Sequence, residues 1–124
     1  MNLENYDVIV VGAGMAGVCA ALEAAERGQR VLLLDVAYGG GTSSISGGVV
    51  YAGGGTSTQR EAGVEDSVEN MYNYLIQETN GIVKDETVRR FCEESADSIE
   101  WLKTKGVKFQ GEIVRRKAGK SAGK

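Results

Sequence analysis

The sequence predicts an α/β fold, with a β–α–β unit at the front and two helices behind it. Three observations predict it. Residues 6–11 read YDVIVV and residues 30–35 read RVLLLD, two short apolar runs of strand-forming character. Residues 18–27 between them are dense in Ala, Leu and Glu, all good helix formers. From residue 68 onward apolar residues recur at three- and four-residue spacing, the period of an amphipathic helix.

Each element can be justified in order. The nearly continuous β-branched run at 6–11 has the composition of a strand buried on both faces. Six residues, Gly12-Ala13-Gly14-Met15-Ala16-Gly17, separate it from the helix, and Gly28 stands where a helix C-terminal glycine belongs. The second strand ends on the carboxylate of Asp35. Two parallel strands joined through a helix imply a right-handed crossover. Residues 38–58 hold eight glycines, many Ser and Thr and no charge, with only 49–51 as a candidate short strand. A loop of that length inside a domain suggests a ligand-wrapping segment, and its glycines make it the expected least-ordered internal stretch.

Two helices follow. Asp66-x-x-Glu69 is a candidate capping box, with Val68, Met71, Tyr72, Leu75 and Ile76 on one face over 68–78. Asp85 is the candidate cap of the next, over 88–103, whose stripe is Val88, Phe91, Cys92, Ile99 and Leu102 and whose stop is Gly106. Both stripes read as core packing, and Tyr51, Tyr72 and Tyr74 as packing residues. Residues 107–109 could start a strand.

Composition bounds the chemistry. The 124 residues, 42% hydrophobic and 25% charged, suit one small globular domain. Without a single histidine, histidine bases, histidine metal ligands and Ser-His or Cys-His catalysis are excluded. Cys19 and Cys92 match no metal spacing and read as buried free thiols, suited to a reducing, cytoplasmic setting. No stretch approaches the ~20 apolar residues that span a bilayer, and Glu4 and Asp7 give the N-terminus no signal-peptide character. The net charge is −3, but residues 111–124 carry Arg115, Arg116, Lys117, Lys120 and Lys124 against Glu112 alone. With almost nothing apolar to pack, that basic tail reads as a disordered end and not as a nucleic-acid-binding arm.

The chemistry lies in the glycines. Gly12 to Gly17 spell G-x-G-x-x-G, placed between a strand and a helix and answered by Asp35 at the end of the next strand. Gly12 permits the tight turn, Gly14 lets a pyrophosphate approach the backbone, and Gly17 lets helix and strand pack closely. The phosphates would face the free N–H groups and positive dipole end of the helix. Asp35 can accept hydrogen bonds from ribose hydroxyls, and its charge repels a 2′-phosphate. The unit is therefore Rossmann-like and reads as dinucleotide-binding.

Ala21 and Gly28 extend the pattern to G-x-G-x-x-G-x3-A-x6-G, which resembles the fingerprint of flavoproteins with two dinucleotide-binding domains. The stretch Gly40-Gly41-Thr42-Ser43-Ser44-Ile45-Ser46-Gly47-Gly48 resembles the GG-x-[ST]-x-x-[SA]-GG loop of the fumarate reductase and 3-ketosteroid dehydrogenase flavoprotein family. Val49-Val50-Tyr51-Ala52-Gly53-Gly54-Gly55-Thr56 and Trp101-Leu102-x-x-x-Gly106-Val107-x-Phe109 are similar to the same family, covering roughly residues 5–110.

The resemblance implies FAD as cofactor and a fold whose first part is this FAD-binding unit. Ala16 and Asp35 would touch pyrophosphate and adenine ribose, with Gly12, Gly14 and Gly17 shaping the cofactor-binding turn. Gly41, Thr42 and Ser43 would lie on the ribityl side, with Ser46, Gly47 and Gly48 nearer the flavin. Membrane-bound family members attach FAD through a histidine in this loop; Gly41-Thr42 stands there instead, so FAD would be held non-covalently. An acidic-basic pair common after the second strand is here Asp35-Val36. The implied activity is hydride transfer between flavin and a carbon–carbon bond next to a carbonyl, in a steroid-like ketone or an enoate. The family's substrate cap and catalytic side chains come later in the sequence. The expectation is thus an incomplete domain, a truncated product or fragment inactive alone, with no catalytic residue and no metal site of its own. The alternative is a small dinucleotide-binding subunit or sensor module without chemistry.

Overall fold

A computed structural model of the chain describes residues 5–110 and 113. They form β1 (Val8–Val11), α1 (Met15–Glu26), β2 (Val31–Leu34), a 3-10 turn (Gly41–Ile45), α2 (Ser57–Glu61), α3 (Val68–Glu78) and α4 (Asp85–Thr104). Two compact units divide the chain after Val49. The basic stretch 111–124, expected to be disordered, lies outside the described residues apart from Ile113.

In the first unit β1 and β2 pair in parallel, with Val8 opposite Val31 and Val11 opposite Leu34. The Arg30 backbone N–H and guanidinium donate to the Asp7 carboxylate at 2.8 to 3.3 Å, which ties the entry of β1 to that of β2. α1 starts at Met15, three residues before the expected 18, because Gly14 already has the extended backbone of an N-cap (φ −73, ψ 179). β2 stops at Leu34, so Asp35 is the first residue beyond the strand.

The expected burial of β1 on both faces does not occur. Val10 lies toward α1, its Cγ1 3.5 Å from where a Cβ on Gly17 would stand. Ile9 and Val11, which alternate to the other face, are 48% and 82% exposed. One helix covers one face of a two-stranded sheet, and the apolar run outruns that cover.

The second unit is built on α3 and α4. Met71 and Cys92 are fully buried and form its core with Val88, flanked by Val68, Tyr72, Leu75 and Ile76. The α3 stripe is thus the one its spacing predicts. On α4, Val88, Cys92, Ser95 and Ile99 are buried, whereas Phe91 is 55% exposed. At 100° per residue the four buried positions fall within a narrow arc, and position 91 stands at its rim. Burial pushes the Cys92 thiol up from its ordinary value, and both cysteines are free.

Residues 52–56 depart most from expectation. They were expected within an open, ligand-wrapping loop, yet Ala52 and Thr56 are buried. The Gly53 N–H donates to Ser95 Oγ at 3.0 Å, and Ser95 Oγ donates to the Cys92 carbonyl at 2.7 Å. A Cβ on Gly53 would stand 3.1 Å from Met71 Cβ and from Val68 Cα. Glycine here serves close packing against α3. Ser95→Ala leaves a buried N–H without its acceptor, so a loss of about 1–3 kcal/mol is expected. Urea unfolding would measure it, and a midpoint equal to that of the unsubstituted chain would refute it.

Three helix starts differ from the sequence reading. The capping box belongs to α2, where Thr56 Oγ1 accepts the Gln59 N–H and Gln59 Oε1 accepts the Thr56 N–H, both at 3.1 Å. At α3 the cap is Ser67, whose Oγ accepts the Asn70 N–H at 3.1 Å, while Asp66 accepts the Ser67 N–H. Lys84 caps α4 without a side-chain bond, and Asp85 instead accepts the Tyr72 hydroxyl, over whose ring lies the Arg89 guanidinium. Residues 49–51 and 107–109 form no strand.

Every α-helix ends in the same way. Gly28, Gly63, Asn80 and Gly106 follow the four C-caps with positive φ. In each case the next residue's N–H reaches back five residues, as from Gln29 to the Ala24 carbonyl and from Val107 to the Leu102 carbonyl. A chain without proline stops its helices on these residues. Among the described residues no helix is long and apolar enough to cross a membrane.

Candidate functional site

The first unit brings together most of the residues singled out in the glycine-rich stretches. The turn Gly12-Ala13-Gly14 leads from β1 into α1, so the first N–H groups of α1 point out of its N-terminus. Those of Gly14, Ala16 and Gly17 have no acceptor among the described residues. At Gly14 a Cβ would meet nothing nearer than Ser43 Oγ at 3.6 Å and the Gly40 carbonyl at 3.9 Å, so a methyl group there would be tolerated. At Gly17 a Cβ would stand 1.8 Å from the Gly12 carbonyl oxygen, so helix and turn touch directly.

Asp35 reaches the same turn. Its Oδ2 accepts the Ala13 N–H at 2.6 Å and its Oδ1 the Ala37 N–H at 2.8 Å. Those two bonds, Ala13 first, hold its carboxyl below the ordinary carboxylate value. The side chain is exposed, and the Gly39 and Val36 N–H groups act on it in the same direction more weakly. Asp35 therefore braces the turn as well as presenting a charge beside it, a second role that the motif did not reveal.

The segment after β2 folds back on the turn. Gly40 N–H donates to the Ala13 carbonyl at 2.8 Å, and Ser43 Oγ accepts the Met15 N–H at 3.1 Å. Gly41 lies close to Gly14, with its Cβ position 3.8 Å from Gly14 Cα. Thr42 and Ser46 are not drawn to the turn. Thr42 is exposed on the 3-10 turn, and Ser46 Oγ accepts the Gly48 N–H at 3.2 Å. Gly47 and Gly48 stand in open space. The contacts of Ala13 with Gly40 and of Met15 with Ser43 were missed in the sequence, where nothing in the spacing marks a backbone pair.

The arrangement offers outward N–H groups and a neighbouring carboxylate, which together suit a dinucleotide. Tyr51, Tyr72 and Tyr74 are engaged in packing. Tyr51 and Tyr74 meet edge to face at 5.7 Å, and burial raises the Tyr51 phenol.

Comparison with known proteins agrees with this geometry. The profile of the FAD binding domain matches residues 7–124. A 3-oxo-5-alpha-steroid 4-dehydrogenase of Comamonas testosteroni is 47% identical over 106 residues, which are 86% of this chain and 20% of that protein. The crystal structure of a 3-ketosteroid-delta4-(5alpha)-dehydrogenase from Rhodococcus jostii RHA1 superposes with a TM-score of 0.76 at 37% identity, covering 88% of this chain and 24% of the other. A flavocytochrome c3 fumarate reductase superposes with a TM-score of 0.77 at 39% identity, covering 84% and 18%. The chain thus spans about a fifth of the length of the relatives it matches.

Proposed function

The chain belongs to the FAD binding domain family, and from that premise we propose that it seats FAD non-covalently as part of a flavin-dependent oxidoreductase. The observation that carries the reading is the turn at α1, where the N–H groups of Gly14, Ala16 and Gly17 have no acceptor among the described residues. A diphosphate would take those N–H groups, with the helix dipole in its favour. The ionised Asp35, held beside the turn by the Ala13 and Ala37 N–H groups, would receive the ribose hydroxyls. Gly41, Thr42, Ser46, Gly47 and Gly48 would follow the cofactor toward its ribityl and flavin end. The chain has no histidine to bond the flavin ring.

When bound, the flavin supplies the redox chemistry, and the protein binds and orients it. The whole enzyme would move hydride between flavin and a carbon–carbon bond next to a carbonyl. Its substrate would be a steroid-like ketone or an enoate. The names of the similar proteins support that class, since they include steroid dehydrogenases and a fumarate reductase.

Titration of the chain with FAD, followed by flavin fluorescence, tests the seat. Asp35→Ala is expected to weaken FAD and adenosine alike by roughly tenfold or more, because a hydrogen bond to a charged group is among the stronger ones. Unchanged affinity for both would remove the ribose role.

A further inference from the structure

The helix α2 is not held by the core of its unit. None of its residues, Ser57–Glu61, is buried. The core cluster of Met71, Val88 and Cys92 draws on α3 and α4 alone. Polar groups tie α2 to α4 instead. Lys103 Nζ donates to Ser57 Oγ at 2.6 Å, to Thr58 Oγ1 at 2.7 Å and to Glu100 Oε1 at 3.3 Å, which employs all three N–H bonds of an ammonium. Glu100 Oε1 accepts the Ser57 backbone N–H at 2.7 Å, and Oε2 accepts the Ser57 hydroxyl at 3.1 Å. The Ser57 oxygen receives a proton from Lys103 and gives its own to Glu100, so these residues form a clasp and not a Ser-Lys nucleophile pair. Glycines flank the helix. Gly55 and Gly63 have φ +87 and +62. A Cβ at Gly55 would meet nothing nearer than 4.0 Å, and one at Gly63 nothing within 4 Å. Between the two glycines Thr56 alone is buried, so little apolar surface is uncovered if the segment lifts.

We propose that residues 56–62 are a strap, which opens as a unit between Gly55 and Gly63 when the clasp of Lys103 and Glu100 on Ser57 and Thr58 is broken, while α3 and α4 stay packed. Local openings are drawn from segments with few buried apolar contacts, and this one is seated by charge-assisted hydrogen bonds. Protonation of Glu100 is the trigger. Lys103, on its own helix, is the charged group that acts on it, and from α2 it meets Ser57, which does not titrate. The Ser57 N–H first, then the Ser57 hydroxyl and Lys103, hold its carboxyl below the ordinary carboxylate value. A carboxyl lowered in the folded chain keeps its bonds above the ordinary range and loses them as pH falls through the lowered value. The strap is therefore shut near neutral pH and released by acid.

Amide hydrogen exchange of the full chain, taken relative to each amide's intrinsic rate, tests the strap in Lys103→Met and Glu100→Gln. Arg90→Met is the control, since it removes an exposed pair with Glu94 on the same helix. The Arg60, Ala62 and Val64 N–H groups, bonded to the Thr56, Thr58 and Gln59 carbonyls, report on the strap. They should open at least roughly tenfold more often in Lys103→Met, the ratio that one hydrogen bond to a charged group represents. Glu100→Gln should move them in the same direction, and Arg90→Met should leave them unchanged. The Met71 and Cys92 amides should stay as protected in every variant as in the unsubstituted chain. Below the ordinary carboxylate range, opening of the strap should rise in the unsubstituted chain and not in Glu100→Gln. Unchanged protection of the strap in Lys103→Met would overturn the proposal. So would an equal loss at Met71 and Cys92, because the segment would then not open by itself. An acid rise of the same size in Glu100→Gln would overturn the trigger.

Discussion

Gly17→Ala is expected to unfold the β1–α1–β2 unit. The added Cβ would stand 1.8 Å from the Gly12 carbonyl oxygen and 2.9 Å from its carbonyl carbon. Ordinary contacts between such atoms lie near ~3.5 Å, and both partners here are backbone, so no side chain can swing aside. Relief requires α1 to move away from β1, which opens the contact between Gly17 and Val10. It also disturbs the turn that carries the Ala13 and Met15 N–H bonds. Overpacking of this kind costs about 3 kcal/mol or more. Hydrogen exchange resolves the outcome: the amides that pair Val8–Val11 with Val31–Leu34 should lose their protection. Full protection of both strands in the variant would sink the prediction. Gly14→Ala is the control, since its Cβ meets nothing nearer than 3.6 Å. It should keep the strands protected and weaken FAD.

Gly54→Ala should be the most damaging single change in the second unit. Gly54 has φ +93, a conformation that costs an L-residue about 1–2 kcal/mol. Its Cβ would also stand 2.2 Å from the Asp66 carbonyl oxygen and 2.6 Å from its carbon. That carbonyl immediately precedes Ser67, the cap of α3. The clash therefore falls on the start of α3 and on the segment from Ala52 to Thr56, whose ends are buried, at once. A loss of about 2–4 kcal/mol is expected. Trp101, the single tryptophan, lies on α4, so urea unfolding read by its fluorescence reports on this unit. A midpoint shift corresponding to less than about 1 kcal/mol would mean that the segment yields easily.

Much of the fold was legible because its signals are local. The β–α–β unit follows from two apolar runs and the glycines between them, and α3 from a stripe that the structure packs around the buried Met71. α2 was not found, since Ser57–Glu61 has no apolar periodicity. Its start signal was present in Thr56-x-x-Gln59, but a similar pattern at Asp66-x-x-Glu69 drew the assignment. The packing of residues 52–56 was hidden for another reason. Small residues give no hydrophobic signal, and the bond that fixes Gly53 comes from Ser95, 42 residues away. In the site, the glycine motif and Asp35 could be read from spacing. The backbone pairing of Gly40 with Ala13 and the double engagement of Asp35 depend on how the chain returns after β2, which no spacing encodes.

The three motif glycines answer to different selective pressures. Gly17 is held by steric contact with Gly12, so any descendant that keeps the β–α–β unit must keep it, with or without a ligand. Gly12, at φ +101, is held by its own backbone. Gly14 has an ordinary conformation and room for a methyl group, so folding does not hold it there, and on the proposed reading the cofactor does. In a lineage that abandoned FAD, position 14 would drift first, while 12 and 17 stayed fixed by folding alone. Among descendants of this chain, a turn that keeps its outer glycines and has lost the middle one would therefore mark a folded unit relieved of its nucleotide.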